Sequence, residues 1–182
     1  MSSGDRSSTG NVWIDTFNEL IDEELDYTDR WSLNFNYKIT DTLSREKKKE
    51  GWKISSRHVY ASFCCSKCHH QWNSARVLVI FHYRLREKTE RGHVIMRPFR
   101  QVCDACKSNG EHYEIPRFSE DKVEEILLGL LSKIKKNCYG EDYLDDGIDS
   151  SRSKVYRTKP HKSSLCEACR DGICCQDDYK DD

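Results

Sequence analysis

Three Cys-x-x-Cys units constrain this chain more than any other feature: Cys65/Cys68, Cys103/Cys106 and Cys166/Cys169. Two intervening residues permit a tight turn that aims both sulfurs at one ion, with zinc–sulfur distances near 2.3 Å. The segments between the first two units read as strands: "WNSARVLVIFHY" (Trp72–Tyr83) and "HVIMRPFRQV" (His93–Val102). They are expected to pair as a hairpin around the charged loop "RLREKTERG", with Gly92 near the turn. A hairpin returns its ends to one place, so Cys65, Cys68, Cys103 and Cys106 are expected to form one four-cysteine zinc-ribbon site.

The third unit lies in "CEACRDGICC". Cys166, Cys169 and Cys174 are expected to hold a second Zn2+, with His161, His112 or Cys175 as fourth ligand. His161 is preferred, because it lies five residues before Cys166. A rival pairing shares the third unit with one of the first two, and spacing alone does not choose. A closed set of protein ligands points to structural zinc. Redox chemistry fits less well, since strands flank the first two units where a thioredoxin-type motif sits between strand and helix. Disulfides would require export, yet the polar start "MSSGDRSSTGN" carries no secretory signal. Of the ten cysteines, Cys64 is expected to point outward and Cys138 to be a buried thiol. His69 and His70 read as exposed, and His82 as core or surface.

Around these units the chain reads as α+β: a zinc-ribbon-like, mainly antiparallel β-sheet with two covering helices. Trp13, Ile14, Phe17, Leu20, Ile21 and Leu25 follow helical spacing, with Asn11 as N-cap. Val123, Ile126, Leu127, Leu130, Leu131 and Ile134 form the stripe of a second helix, capped by Ser119. Trp31, Leu33, Phe35, Tyr37 and Ile39 alternate with polar residues as in a half-buried strand, and "WKISSRHVYASF" is a second strand entering the first cysteine unit. "REKKKEG" (45–51) reads as an exposed loop. We expect a disordered N-terminus over 1–10, a single domain over 11–175 and a flexible acidic, Ser-rich loop over 140–164. "VYRTKPHKSS" reads as a short strand or extended approach. The acidic tail 176–182 ends in "DYKDD", which reads as the start of an epitope tag. The longest apolar run, Ile126–Leu131, falls far short of the roughly 20 residues of a membrane span.

A net charge of −1 offers no overall attraction to polyanions, but local charge differs. Arg45–His58 and Arg84–Arg100 each hold six basic residues against two acidic ones, while Glu141–Asp149 holds five acidic residues and no basic one. Lys47, Lys48, Lys49, Arg84, Arg86, Lys88 and Arg91 are the candidate nucleic-acid or client contacts. Trp52, Tyr60, Phe81, Tyr83 and Phe99 lie nearby as candidate stacking platforms for single-stranded RNA. A basic face of this kind also suits an acidic membrane surface. No nucleophile elbow, phosphate-binding loop or His-Glu-x-x-His motif occurs, so no catalytic residue is assigned and no enzymatic activity is expected.

The motifs "CSKCHHQWNSARVLVIFHY", "GHVIMRPFRQVCDAC", "YEIPRFSEDKVEEILLGLLSKI", "CYG" and "CEACRDGIC" together resemble the receptor-transporting proteins, carriers of the 3CxxC-type zinc finger. The resemblance runs from about Trp13 to Cys174. It implies chaperone-like proteins that assist delivery of odorant-, taste- and other G-protein-coupled receptors to the cell surface. It also implies an alternative, an interferon-inducible antiviral effector that binds viral RNA. The family's three cysteine pairs fall on the three units above, and its trailing cysteine on Cys174. Members typically continue into a C-terminal membrane anchor. None follows Cys175 here, so membrane association is expected only through a client or an anchor absent from this sequence. The expected location is cytoplasmic, at the cytosolic face of the endoplasmic reticulum or plasma membrane.

Overall fold

Parity along the strands decides which side chains meet the helices. The computed structural model describes residues 9–106, 112–141 and 163–173. Strands β1 (Arg30–Phe35), β2 (Lys53–Cys64), β3 (Gln71–Arg86) and β4 (Arg91–Pro98) form one sheet in the order β1-β4-β3-β2. β2–β3 and β3–β4 pair antiparallel, as expected, while β1 joins the edge of β4 in parallel. A second, two-stranded ribbon pairs β5 (Gln101–Val102) with β6 (Tyr113–Glu114).

Odd-numbered residues of β1 and β3, including Trp31, Leu33, Val79 and Phe81, share one core with helices α1 (Thr9–Glu24) and α3 (Glu120–Tyr139). Helix α1 contributes Trp13, Phe17 and Leu20. Helix α3 contributes the six residues of the predicted stripe, all buried. Each such side chain contributes about 1.5–3 kcal/mol on full burial, so this two-helix face is the main source of stability. Ser119 caps α3 by accepting from the Lys122 N–H, and Gly140 ends it in the left-handed conformation at φ 64°. The opposite face carries a smaller core of Ile39, Leu78, Ile80, Phe99, Ala168 and Ile173.

Several expectations shift. The first strand stops at Phe35, and the chain crosses to the far face, where Ile39 joins the second core. The lysine run forms a short helix, α2 (Arg45–Lys49), because the Ser44 hydroxyl caps it by accepting from the Lys47 N–H. Helix α1 begins at Thr9, ahead of Asn11. The charged hairpin loop contracts to Glu87–Glu90, since β3 extends to Arg86 and β4 begins at Arg91. Residues Val77–Arg84 are buried without a break, which places Phe81 and Tyr83 in the core beyond reach of a ligand; Phe99 is equally buried. The Trp31 indole lies on Gly92, where a Cβ would stand 2.1 Å from the ring. Only glycine lets β1 approach β4 there. No helix among the described residues is long and apolar enough to cross a membrane. Most of the expected loop 140–164, and all of "VYRTKP", fall outside the described residues.

Candidate metal centre

The β2–β3 turn and the β4–β5 segment end at the same place, and each carries one cysteine unit. The sulfurs of Cys65, Cys68, Cys103 and Cys106 all lie within 4.8 Å of one another. Cys65 Sγ is 3.8 Å from Cys106 Sγ, and Cys68 Sγ is 3.6 Å from Cys103 Sγ. A tetrahedron with zinc–sulfur bonds of about 2.3 Å has edges of about 3.8 Å. The spacing therefore suits four thiolates around one zinc ion and is far too long for disulfides. Four soft ligands leave no open position for a substrate, as in structural sites.

Each unit turns tightly. The His69 N–H donates to the Cys65 carbonyl at 2.9 Å, and the Cys106 N–H to the Cys103 carbonyl at 3.2 Å. His69 adopts φ 62° to complete the first turn. The N–H of Cys68, then that of Lys67, reaches back to the Cys65 sulfur and lowers its pKa to about 7. Bonding to Cys68, then burial, pushes Cys106 up to about 12. Burial likewise raises Cys103, against the N–H groups of Cys106 and Ala105. The spread reflects thiols close enough to share protons, which a divalent cation displaces on binding. Glu114 supports the first turn. Its Oε1 accepts from the Ser66 N–H at 2.9 Å and from the Ser66 hydroxyl at 2.8 Å, and His112 Nε2 lies 2.8 Å from both side chains. His112 is thereby engaged at the first turn.

The third unit is placed differently. Helix α4 (Glu167–Arg170) follows Cys166 as its N-cap, and Cys166 bridges to Gln101 of β5. Glu167, 1 % exposed, accepts from the Arg100 backbone N–H at 2.9 Å, from Arg100 Nε at 3.0 Å and Nη2 at 2.7 Å, and from Arg97 Nη2 at 3.2 Å. Arg97 also donates to Asp171 at 2.8 Å and to the Ile39 carbonyl at 2.8 Å. Burial alone pushes the Glu167 carboxyl up, but the bonds from Arg100 and the charge of Arg97 outweigh it and hold the group below the usual carboxylate range. Cys166 is buried and Cys169 half-buried on this segment, while Cys174, Cys175 and His161 lie outside the described residues. Among the described residues, only the first two units form a metal-sized cluster.

The two basic segments meet at the end of the sheet remote from the cysteines. Trp52 joins them, with the Arg84 guanidinium 4.6 Å and Lys47 Nζ 5.9 Å from its ring. Lys48, Lys49, Arg86, Lys88 and Arg91 are exposed, and Lys47 is partly so. Arg84 is a strand residue, 8 % exposed and paired with Glu50 at 3.3 Å, rather than part of an open loop. Strand register adds Arg30 and His93, which sequence reading missed. A charged residue opposite another basic strand position was the available signal. Phe81, Tyr83 and Phe99 are buried, Trp52 is engaged by two cations and bonded to Glu50 at 3.2 Å, and Tyr60 on β2 is half-buried. Cys64 is half-buried, His69 and His70 are exposed, and Cys138 packs partly buried against the main core.

Residues 58–172 match the family model of a zinc-binding domain, the 3CxxC zinc ribbon. The chain is 35% identical over 167 residues to receptor-transporting protein 3 of Mus musculus, covering 91% of this chain and 34% of that one. It is 34% identical over 165 residues to receptor-transporting protein 4 of Homo sapiens, covering 91% and 64%. Against receptor-transporting protein 2 of Mus musculus it is 30% identical over 173 residues, covering 92% and 71%. The chain thus spans about a third to two thirds of the length of the first two relatives. No solved structure matches it. A 3CxxC zinc-binding domain over most of the chain, and relatives of one kind along nearly all of it, place this protein in the receptor-transporting protein family.

Proposed function

We propose that the chain is a zinc-stabilised, non-enzymatic carrier that binds G-protein-coupled receptors, of odorant or taste type, and promotes their delivery to the cell surface. Cys65, Cys68, Cys103 and Cys106 hold one structural Zn2+. Cys166, Cys169 and Cys174 hold a second, with His161 as fourth ligand. The observation that carries the reading is a closed four-thiol cluster within a chain whose relatives are receptor-transporting proteins. Zinc here builds the carrier rather than performing chemistry, since four protein ligands leave no site for a reacting water. The carrier works at the cytosolic face of the membranes its clients cross, contacting their cytoplasmic or nascent segments.

The test is surface density of a co-expressed odorant receptor, with and without this chain, beside a Cys103→Ser control. A rise that vanishes in the control supports the reading and ties it to the metal-built fold. No rise, with the chain expressed and folded, refutes it for that receptor class.

A further inference from the structure

We propose that the basic end of the open sheet face is a docking site for the polyphosphorylated headgroup of a membrane lipid, a phosphoinositide. Register places three arginines side by side on adjacent strands: Arg30 opposite Arg91, and Arg91 opposite Arg86. The next row on the same face is Ser32, His93 and Arg84. Like charges directly opposite one another cost stability. Among the described residues no ion pair joins Arg30, Arg86 or Arg91 to a carboxylate. A chain that keeps this arrangement without compensation presents it to an anion.

The rows border an open cleft of about 450 Å³, lined in part by Asn34, Trp52, Arg84, Arg86 and His93. Arg84 is held against the Trp52 ring, and its buried Nε has no hydrogen-bond partner. Burial, then the charges of Arg84, Arg86 and Arg91, hold His93 below the ordinary imidazole range. Neighbouring strands lie about 4.8 Å apart, so the exposed arginine row measures about 10 Å across, with Arg84, paired to Glu50, one row behind it. That is the footprint of one multiply phosphorylated ring rather than of an extended nucleic-acid backbone. Arginine forks bind phosphate oxygens in pairs, which a lysine cannot do. A bilayer is the source that uses the surroundings as well. Lys48 and Lys49 on α2 and Lys88 in the hairpin turn stand exposed at the same end, and each basic residue near an anionic leaflet adds about 1 kcal/mol. The proposal stands independently of the receptor reading, since it needs no client.

The experiment is vesicle co-sedimentation of the zinc-loaded chain. Phosphatidylcholine vesicles containing phosphatidylinositol 4,5-bisphosphate are compared with phosphatidylserine vesicles of equal surface charge. The expected result is at least about tenfold tighter binding to the phosphoinositide surface. The Arg86→Gln/Arg91→Gln variant should lose that preference, whereas Lys48→Gln/Lys49→Gln should weaken both surfaces alike, by a few-fold. Both variants alter exposed side chains, and an unchanged thermal midpoint confirms their folding. Equal binding to the two surfaces, or a preference that survives Arg86→Gln/Arg91→Gln, overturns the site. Binding of soluble inositol hexakisphosphate without vesicle binding overturns the membrane source. Capture of a single-stranded oligoribonucleotide that displaces the vesicles, and is abolished by the arginine variant, assigns the cleft to nucleic acid instead.

Discussion

The first two cysteine units and the third solve one problem in different ways. Cys65, Cys68, Cys103 and Cys106 are delivered by the ladder of a hairpin, with backbone N–H groups aimed at the Cys65 and Cys103 sulfurs. Their positions follow from strand register, which one buried face specifies strongly. The third unit has no strand to deliver it. A buried ionic knot, Glu167 with Arg97 and Arg100, fastens α4 to the end of β4 instead. The first arrangement is built from interactions any sequence makes once the strands pair. The second depends on particular side chains, Glu167, Arg97, Arg100 and Asp171, and losing one leaves a buried charge with fewer partners. The two regions should therefore fail differently.

The largest effect is expected at the four-thiol cluster. Binding of a structural zinc is worth about 10–16 kcal/mol, comparable with the whole stability of a typical domain, about 5–15 kcal/mol. Cys103→Ser should abolish the cooperative thermal transition, and metal analysis should find zinc lost from that cluster. A cooperative melt retained without that zinc would mean the sheet stands unaided. Glu167→Ala comes next. It should cost about 3 kcal/mol in urea unfolding, because Arg100 loses its carboxylate while Arg97 keeps only Asp171, and the zinc at the four-thiol cluster should stay bound. Losing the zinc of the four-thiol cluster as well would show that the two regions are one cooperative unit.

These differences match what the sequence made legible. The hairpin between the first two units was readable from alternation and spacing, and α3 from its stripe and its Ser119 cap, because those signals are local. The parallel β1–β4 pairing was not. It depends on Trp31 lying on Gly92, a contact between residues 61 positions apart that neither local pattern implies. The ionic knot was hidden for the same reason, since Arg97 and Glu167 are 70 positions apart. A hint existed: Arg97 interrupts the apolar run "HVIMRPF", and a charge inside a buried strand requires a partner. The burial of Arg84, Phe81 and Tyr83 was misread because a strand covered on both faces loses its alternation.

Acid should reach the third unit's face through His82. This residue is 1 % exposed, its Nε2–H donates to the Thr40 carbonyl at 2.7 Å, and its Nδ1 is buried without a partner. Burial holds its pKa below the ordinary 6.5, against the pull of the Thr40 bond. The folded pKa thus lies under the unfolded one. Stability from the neutral ring is complete above about pH 6.5 and is lost as pH falls from there through the folded pKa. His82→Gln keeps a donor for Thr40 and cannot protonate. Its urea midpoint should fall less than the native one between about pH 7.5 and pH 5.5. Matching slopes would place the acid sensitivity in the thiols.

The smallest expected effect separates the two turn designs. His69 holds φ 62° directly after the second cysteine of its unit, whereas the third unit reverses at Gly172, φ 70°, three residues after Cys169. A left-handed non-glycine residue costs about 1–2 kcal/mol, and glycine returns about 0.5–1 kcal/mol of that through its greater unfolded freedom. His69→Gly should therefore raise stability by about 0.5 kcal/mol. Gly172→Ala meets no neighbour within 4 Å, so the same two backbone contributions act with reversed sign, and it should lose about 0.5 kcal/mol. Opposite signs in the two unfolding midpoints would show that the first turn tolerates strain because four thiols and a ladder over-determine it. A loss at His69→Gly would mean that the imidazole itself contributes, through its neighbours at the turn, more than its backbone costs.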